Sequence, residues 1–204
     1  LSFGYAYNIP FTDFHIGANA KLIGSSLETY SSYGGALDLG AIYIDEKNDI
    51  NYALVIRNLG MQFTTYSGVN ERLPFDVMLG ISQEVENVPI RWHITLDNLQ
   101  QWNVAFANPV DAQQNFDGTT TAENPSFFKN ALSHVIMGAE LFPTKGFNVR
   151  VGYDFRRGNE LAIENQRNFS GISLGFGLKV GRLKFDYSYS RYTLAANNSL
   201  FGLT

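Results

Sequence analysis

The sequence predicts an all-β protein: a transmembrane antiparallel up-and-down β-barrel of the outer-membrane kind. Three observations predict it. Tight turns near Pro10, Lys47-Asn48, Glu86-Asn87, Thr144-Lys145-Gly146 and Gly181 alternate with longer polar stretches at 25–33, 60–73, 103–130 and 157–170. The segments between them are roughly ten residues long and alternate apolar with polar or small residues, the dyad period of a barrel strand. Hydrophobic residues make up 45% of the 204, yet no run approaches the roughly 18–20 apolar residues of a membrane helix. A closed sheet crosses a bilayer without such a run, because each strand pairs its backbone groups with its neighbours.

The strands follow in order. Leu1, Phe3, Tyr5 and Tyr7 alternate with Ser2, Gly4 and Ala6; Ile16, Ala18, Ala20 and Leu22 with His15, Gly17, Asn19 and Lys21. Leu37, Leu39, Ala41 and Tyr43 oppose Asp38 and Gly40, and Tyr52, Leu54 and Ile56 oppose Asn51, Ala53 and Arg57. Phe75, Val77, Leu79 and Ile81 make a fifth strand, and Ile90, Trp92, Ile94 and Leu96, set against Arg91, His93, Thr95 and Asp97, a sixth. Val135 to Leu141, Phe147 to Phe155, Ile172 to Val180 and Leu183 to Tyr189 supply four more, and 199–204 alternates briefly as an eleventh. The apolar faces are almost free of charge, and aromatic side chains gather at strand ends, as interfacial girdles do. A soluble β-sandwich would share the alternation and the 19 glycines, but not those two features.

Net charge is −4 with no basic run, so no nucleic-acid partner is expected. The chain has no cysteine, which excludes disulfides and thiolate metal sites. Leu1-Ser2-Phe3-Gly4-Tyr5-Ala6-Tyr7 already alternates and no signal peptide precedes it. The expectation is a single barrel domain over 1–204 that lacks its N-terminal segment and first strands, since single-chain bacterial barrels have even strand totals.

Arg91, His93 and Asp97 share one face, as do His134 and Glu140, which raises a His–carboxylate hydrolase. Such a site needs an activated nucleophile, and neither Ser82 nor Ser133 sits in a nucleophile motif; Ser133 also falls on the lipid-facing parity. The competing reading is a network of paired charges filling a narrow lumen. Lys21, Asp38, Arg57, Asp76, Arg91, Asp97, Glu140, Arg150, Asp154, Arg156, Lys179, Lys184 and Asp186 mix signs, unlike the single-sign ring of a selective pore. The histidines have no metal-ligand spacing, and Gly175-x-Gly177 lies inside a strand and is not a phosphate loop. No catalytic residue, cofactor or metal is expected. The 103–130 loop carries Phe106, Phe116, Phe127 and Phe128, and the 60–73 loop Phe63 and Tyr66. These aromatics suit either a partner contact or a fold back over the barrel mouth.

Lys21-Leu22-Ile23-Gly24-Ser25-Ser26-Leu27-Glu28, with Tyr30-Ser31-Ser32 and Asp38-Leu39-Gly40, resembles a stretch of the PorV/PorQ family, FadL-like outer-membrane barrels of the type IX secretion system. Arg57-Asn58-Leu59-Gly60, Thr65-Tyr66-Ser67-Gly68, Leu73-Pro74-Phe75-Asp76 and Asp97-Asn98-Leu99-Gln100-Gln101-Trp102 extend the resemblance toward PorQ-like members. It implies fourteen strands when complete, about ten or eleven of them here, with short turns periplasmic and long loops extracellular. It implies a non-enzymatic role, scaffolding a surface attachment complex for secreted cargo. The implied partners are PorU-, PorV- and PorZ-like proteins, the lipid bilayer and lipopolysaccharide. The alternative it implies is a FadL-like transporter of hydrophobic small molecules.

Overall fold

The computed structural model describes residues 1–27, 30–64, 72–105, 113–114, 120–121, 125–143, 146–160, 170–191 and 197–203. Strands β1 (Ser2–Asn8), β2 (Phe14–Leu27), β3 (Tyr30–Asp45), β4 (Ile50–Thr64), β5 (Asp76–Glu84) and β6 (Ile90–Leu96) come first. After them come the two-residue strands β7 (Gln113–Gln114) and β8 (Thr120–Thr121), helix α1 (Phe127–Leu132), and β9 (Val135–Leu141) and β10 (Phe147–Asp154). Helix α2 (Phe155–Glu160) and β11 (Ile172–Val180), β12 (Leu183–Arg191) and β13 (Asn197–Leu203) complete the order. The eleven long strands form one sheet in chain order, with β7 and β8 a separate pair. Neighbours are antiparallel, the up-and-down arrangement expected of the turn pattern, and β1 and β13 are the end strands. The chain forms two compact units, Leu1–Ser82 with Asp97–Gln100, and Gln83–Leu96 with Gln101–Thr204.

Two stretches expected as long loops include strand among their described residues. Strands β2 and β3 stay paired out to Leu27↔Tyr30, so residues 25–27 and 30–33 are strand. Strand β4 runs to Thr64, which puts Phe63 in a strand rather than in a loop. Polarity misled here: Ser and Thr are as compatible with a ladder as with a loop where neither face needs burial. Helix α1 overlaps the end of the stretch 103–130, and helix α2 overlaps the start of 157–170 and takes in Phe155, expected as the end of a strand.

Burial is inverted. Among the described residues the only buried hydrophobic is Ala36, whereas Asp76, Asp97, Asn130, His134 and Asn148 are all buried. The apolar face is the one left open: Phe3, Tyr5, Ile16, Leu54, Leu79, Leu174, Phe176 and Leu178 are exposed. A water-soluble sheet of this composition would do the reverse, since each buried large side chain contributes about 1.5–3 kcal/mol.

Candidate functional site

In the first unit the polar face is organised by two copies of one device. Strand register jumps from Leu37↔Leu59 to Leu39↔Ile56, so Arg57 and Asn58 both face Asp38, a β-bulge. Asn58 takes up a left-handed backbone, φ 57°, which Asn tolerates better than most residues. Its N–H donates to Asp38 Oδ1 at 2.9 Å, its Nδ2 donates to the Pro74 carbonyl at 2.8 Å, and Lys21 Nζ donates to its Oδ1 at 3.2 Å. Lys21 also pairs with Asp38. The second copy lies one hairpin on. Asn98, φ 54°, donates its N–H to Asp76 Oδ1 at 3.0 Å, and Leu99 N–H reaches the Val77 carbonyl. Gln100 brackets the site, donating to the Phe75 carbonyl at 2.8 Å and accepting from Val77 N–H at 2.9 Å. Arg57 joins the two copies by pairing with Asp76 at 3.1 Å.

In the second unit the charges lie in cross-strand rows. Arg91, Glu140 and Arg150 are in register on β6, β9 and β10, and Arg150 is opposite Gly175 on β11. Glu140 accepts from Arg91 at 3.4 Å and from Arg150 at 3.1 Å, while Arg91 also reaches Glu84 at 2.9 Å. The next row is Asn148, Gly177 and Asp186. A Cβ at Gly177 would stand 2.6 Å from Asn148 Oδ1 and 2.9 Å from Asp186 Oδ1. Gly177 therefore leaves the room these two side chains occupy. Arg150 Nη1 is 3.1 Å from Asp186 Oδ1, near enough for attraction but not aligned to donate. Lys184 Nζ holds the other oxygen at 3.1 Å. These rows line a mostly polar cleft of about 450 Å³.

The residues considered for hydrolysis have structural tasks. Glu140 is the shared acceptor of two arginines, and His93 lies over Gly138, filling the space where that residue has no side chain. His134 is buried, stacks on Trp102 at 5.4 Å and places Nε2 3.0 Å from the Trp102 carbonyl. Asp97 accepts from Asn98 Nδ2 at 2.9 Å. Ser133, expected to face lipid from a strand, is instead the buried C-cap of α1, its hydroxyl donating to the Lys129 carbonyl at 2.9 Å. Alternation cannot be extended through a helix, which is why the parity failed. Ser82 Oγ is 3.5 Å from Asn51 Nδ2. Among the described residues no group of three or more metal-ligating side chains gathers.

Of the aromatic contact candidates, Tyr66, Phe106 and Phe116 lie outside the described residues. Phe127 and Phe128 open helix α1, capped by Ser126, and both are exposed. Phe127 rests on Trp102 at 5.1 Å. Beneath them Asn130, 4% exposed, donates to the Trp102 carbonyl and accepts from the Val104 and Ala105 N–H groups at 3.1 and 2.9 Å. The anchor Asn130 was missed in the sequence because nothing in its neighbourhood repeats. The Asn58/Asn98 pair had a signal, the recurrence of Asn-Leu after a strand with an Asp one strand earlier. No protein-family model matches the chain, and neither the curated proteins nor the solved structures compared with it yield a match.

Proposed function

We propose that the chain forms wall strands of a bacterial outer-membrane β-barrel and acts without catalysis, as a type IX secretion component that scaffolds a surface attachment complex for secreted cargo. The observation that carries the membrane part is the inverted burial: charge-free apolar side chains exposed along the strands, and polar side chains taking the protected places. Large exposed apolar patches mark a surface that meets another apolar phase, and a bilayer is the phase whose thickness suits strands of this length. Short turns such as that at Lys47-Asn48 then face the periplasm, and the 103–130 segment faces outside among lipopolysaccharide.

The narrower role is supported by where the family-like residues fall. Stretches read separately along the sequence, Lys21, Asp38, Arg57-Asn58-Leu59, Pro74-Phe75-Asp76 and Asp97-Asn98-Leu99-Gln100, come together in one bonded clamp. That clamp holds chain on both sides of the 65–71 segment and just before residue 101, and partner contacts with PorU-, PorV- or PorZ-like proteins would be made by the 65–71 and 101–126 segments. Affinity isolation of the protein extracted in mild detergent, with identification of co-purifying chains, tests the scaffold. A large surface complex is the expected result. Purification as a lone barrel contradicts scaffolding, and a lone barrel carrying bound fatty acid favours hydrophobic transport instead.

A further inference from the structure

We propose that the cleft on the polar face of the second unit is an oxyanion-binding site, built for a phosphate-bearing group and centred between Lys179 and Lys184. Those two lysines are direct cross-strand partners on β11 and β12, so their side chains leave the sheet side by side on one face. Like charges directly opposite each other are destabilising, and no cross-strand pairing preference explains them. Lys184 has Asp186 at 3.1 Å, but Lys179 has no ion partner among the described residues.

The rest of the cleft does not cancel this charge. Arg91, Arg150, Lys179 and Lys184 line it with Glu140 and Asn148. Among the described residues the carboxylates in reach are Glu84, Glu140 and Asp186, so there four cations face three anions and one positive charge is left over. Each carboxylate is already held: Glu140 by two arginines, Asp186 by Arg150 and Lys184. An incoming oxyanion would therefore find its donors on the lysines and on the outer edge of Arg150, which the carboxylates keep in place. Lysines bind phosphate as mobile point charges and arginine adds a planar donor edge. At about 450 Å³ the cleft holds more than a bare ion, so the anionic group enters as part of a larger molecule or with its water. This reading does not depend on the membrane or secretion assignments.

The test uses the full chain folded in neutral detergent, with thermal unfolding followed while inorganic phosphate replaces chloride at constant ionic strength. Phosphate is expected to raise Tm saturably, and Lys179→Gln or Lys184→Gln to weaken its apparent affinity about tenfold or more, as loss of one charge-assisted hydrogen bond requires. Lys179→Gln is also expected to raise Tm in chloride alone, because it removes the repulsion. Lys47→Gln, at the β3–β4 turn of the first unit, should leave the phosphate response intact. A wild-type protein without a phosphate-dependent rise overturns the proposal, as does an unchanged response in Lys179→Gln. Adding phosphatidylglycerol to the micelles names the source: competition with inorganic phosphate assigns the site to a lipid headgroup, and independence assigns it to a soluble phosphate, both with the oxyanion site retained.

Discussion

Asn58 and Asn98 show how much a single residue can fix in this sheet. Each needs a backbone with positive φ, and each turns its freed N–H to a carboxylate on the preceding strand. Asn58→Gly keeps the backbone and loses only the side-chain bonds, whereas Asn58→Ala loses both. The alanine variant is expected to be less stable than the glycine variant by about 1 kcal/mol, read from equilibrium unfolding in detergent. Asp76 receives both Arg57 and Asn98 while buried, so Asp76→Ala is expected to cost about 1–3 kcal/mol. At the β3–β4 turn, Asn48 Nδ2 donates to Asp45 at 2.7 Å and, with the Lys47 and Asn48 N–H groups, holds the Asp45 carboxyl below the usual range. A depressed value stabilises the fold above the unfolded carboxylate pKa of about 3.9. That contribution is lost as pH falls through the lower folded value. Asn48→Ala should move the Asp45 titration, followed by NMR, back toward that ordinary value.

At the scale of strands, the alternation was legible because apolar exposure on one face and polar packing on the other impose a period of two. The ten predicted strands and the brief eleventh all appear as neighbours in one sheet. What the alternation could not show was where it breaks. Tyr52, Leu54 and Ile56 keep the period, but at Arg57-Asn58 an extra residue enters the strand, and nothing in local polarity marks it. The charged partners were visible as one mixed-sign face, while their pairing depended on register, which periodicity leaves open. Glycines inside strands were legible only as a count; register explains them. Gly177→Ala would drive a methyl against Asn148 and Asp186 and is expected to cost about 1–3 kcal/mol. Gly40→Ala, with open space at its Cβ, is expected to be neutral or slightly stabilising. Parallel melts of the two variants check the contrast.

For the whole molecule the central claim is that the exposed apolar face meets lipid. Because the chain contains no cysteine, single thiols can be placed at will. Leu174, Phe176 and Leu178 project from the apolar face of β11, and Ser173 and Ser188 belong to the opposite face of β11 and β12. The most direct measurement introduces cysteine at each of these positions. It then follows labelling by a membrane-impermeant maleimide, and lipid-phase quenching of an attached fluorophore, in protein reconstituted into liposomes. The account predicts that Leu174→Cys, Phe176→Cys and Leu178→Cys resist the impermeant reagent and are quenched from the lipid phase. It predicts the opposite pattern for Ser173→Cys and Ser188→Cys. Equal labelling of both faces, or a folded monomer that stays in solution without detergent, would contradict it.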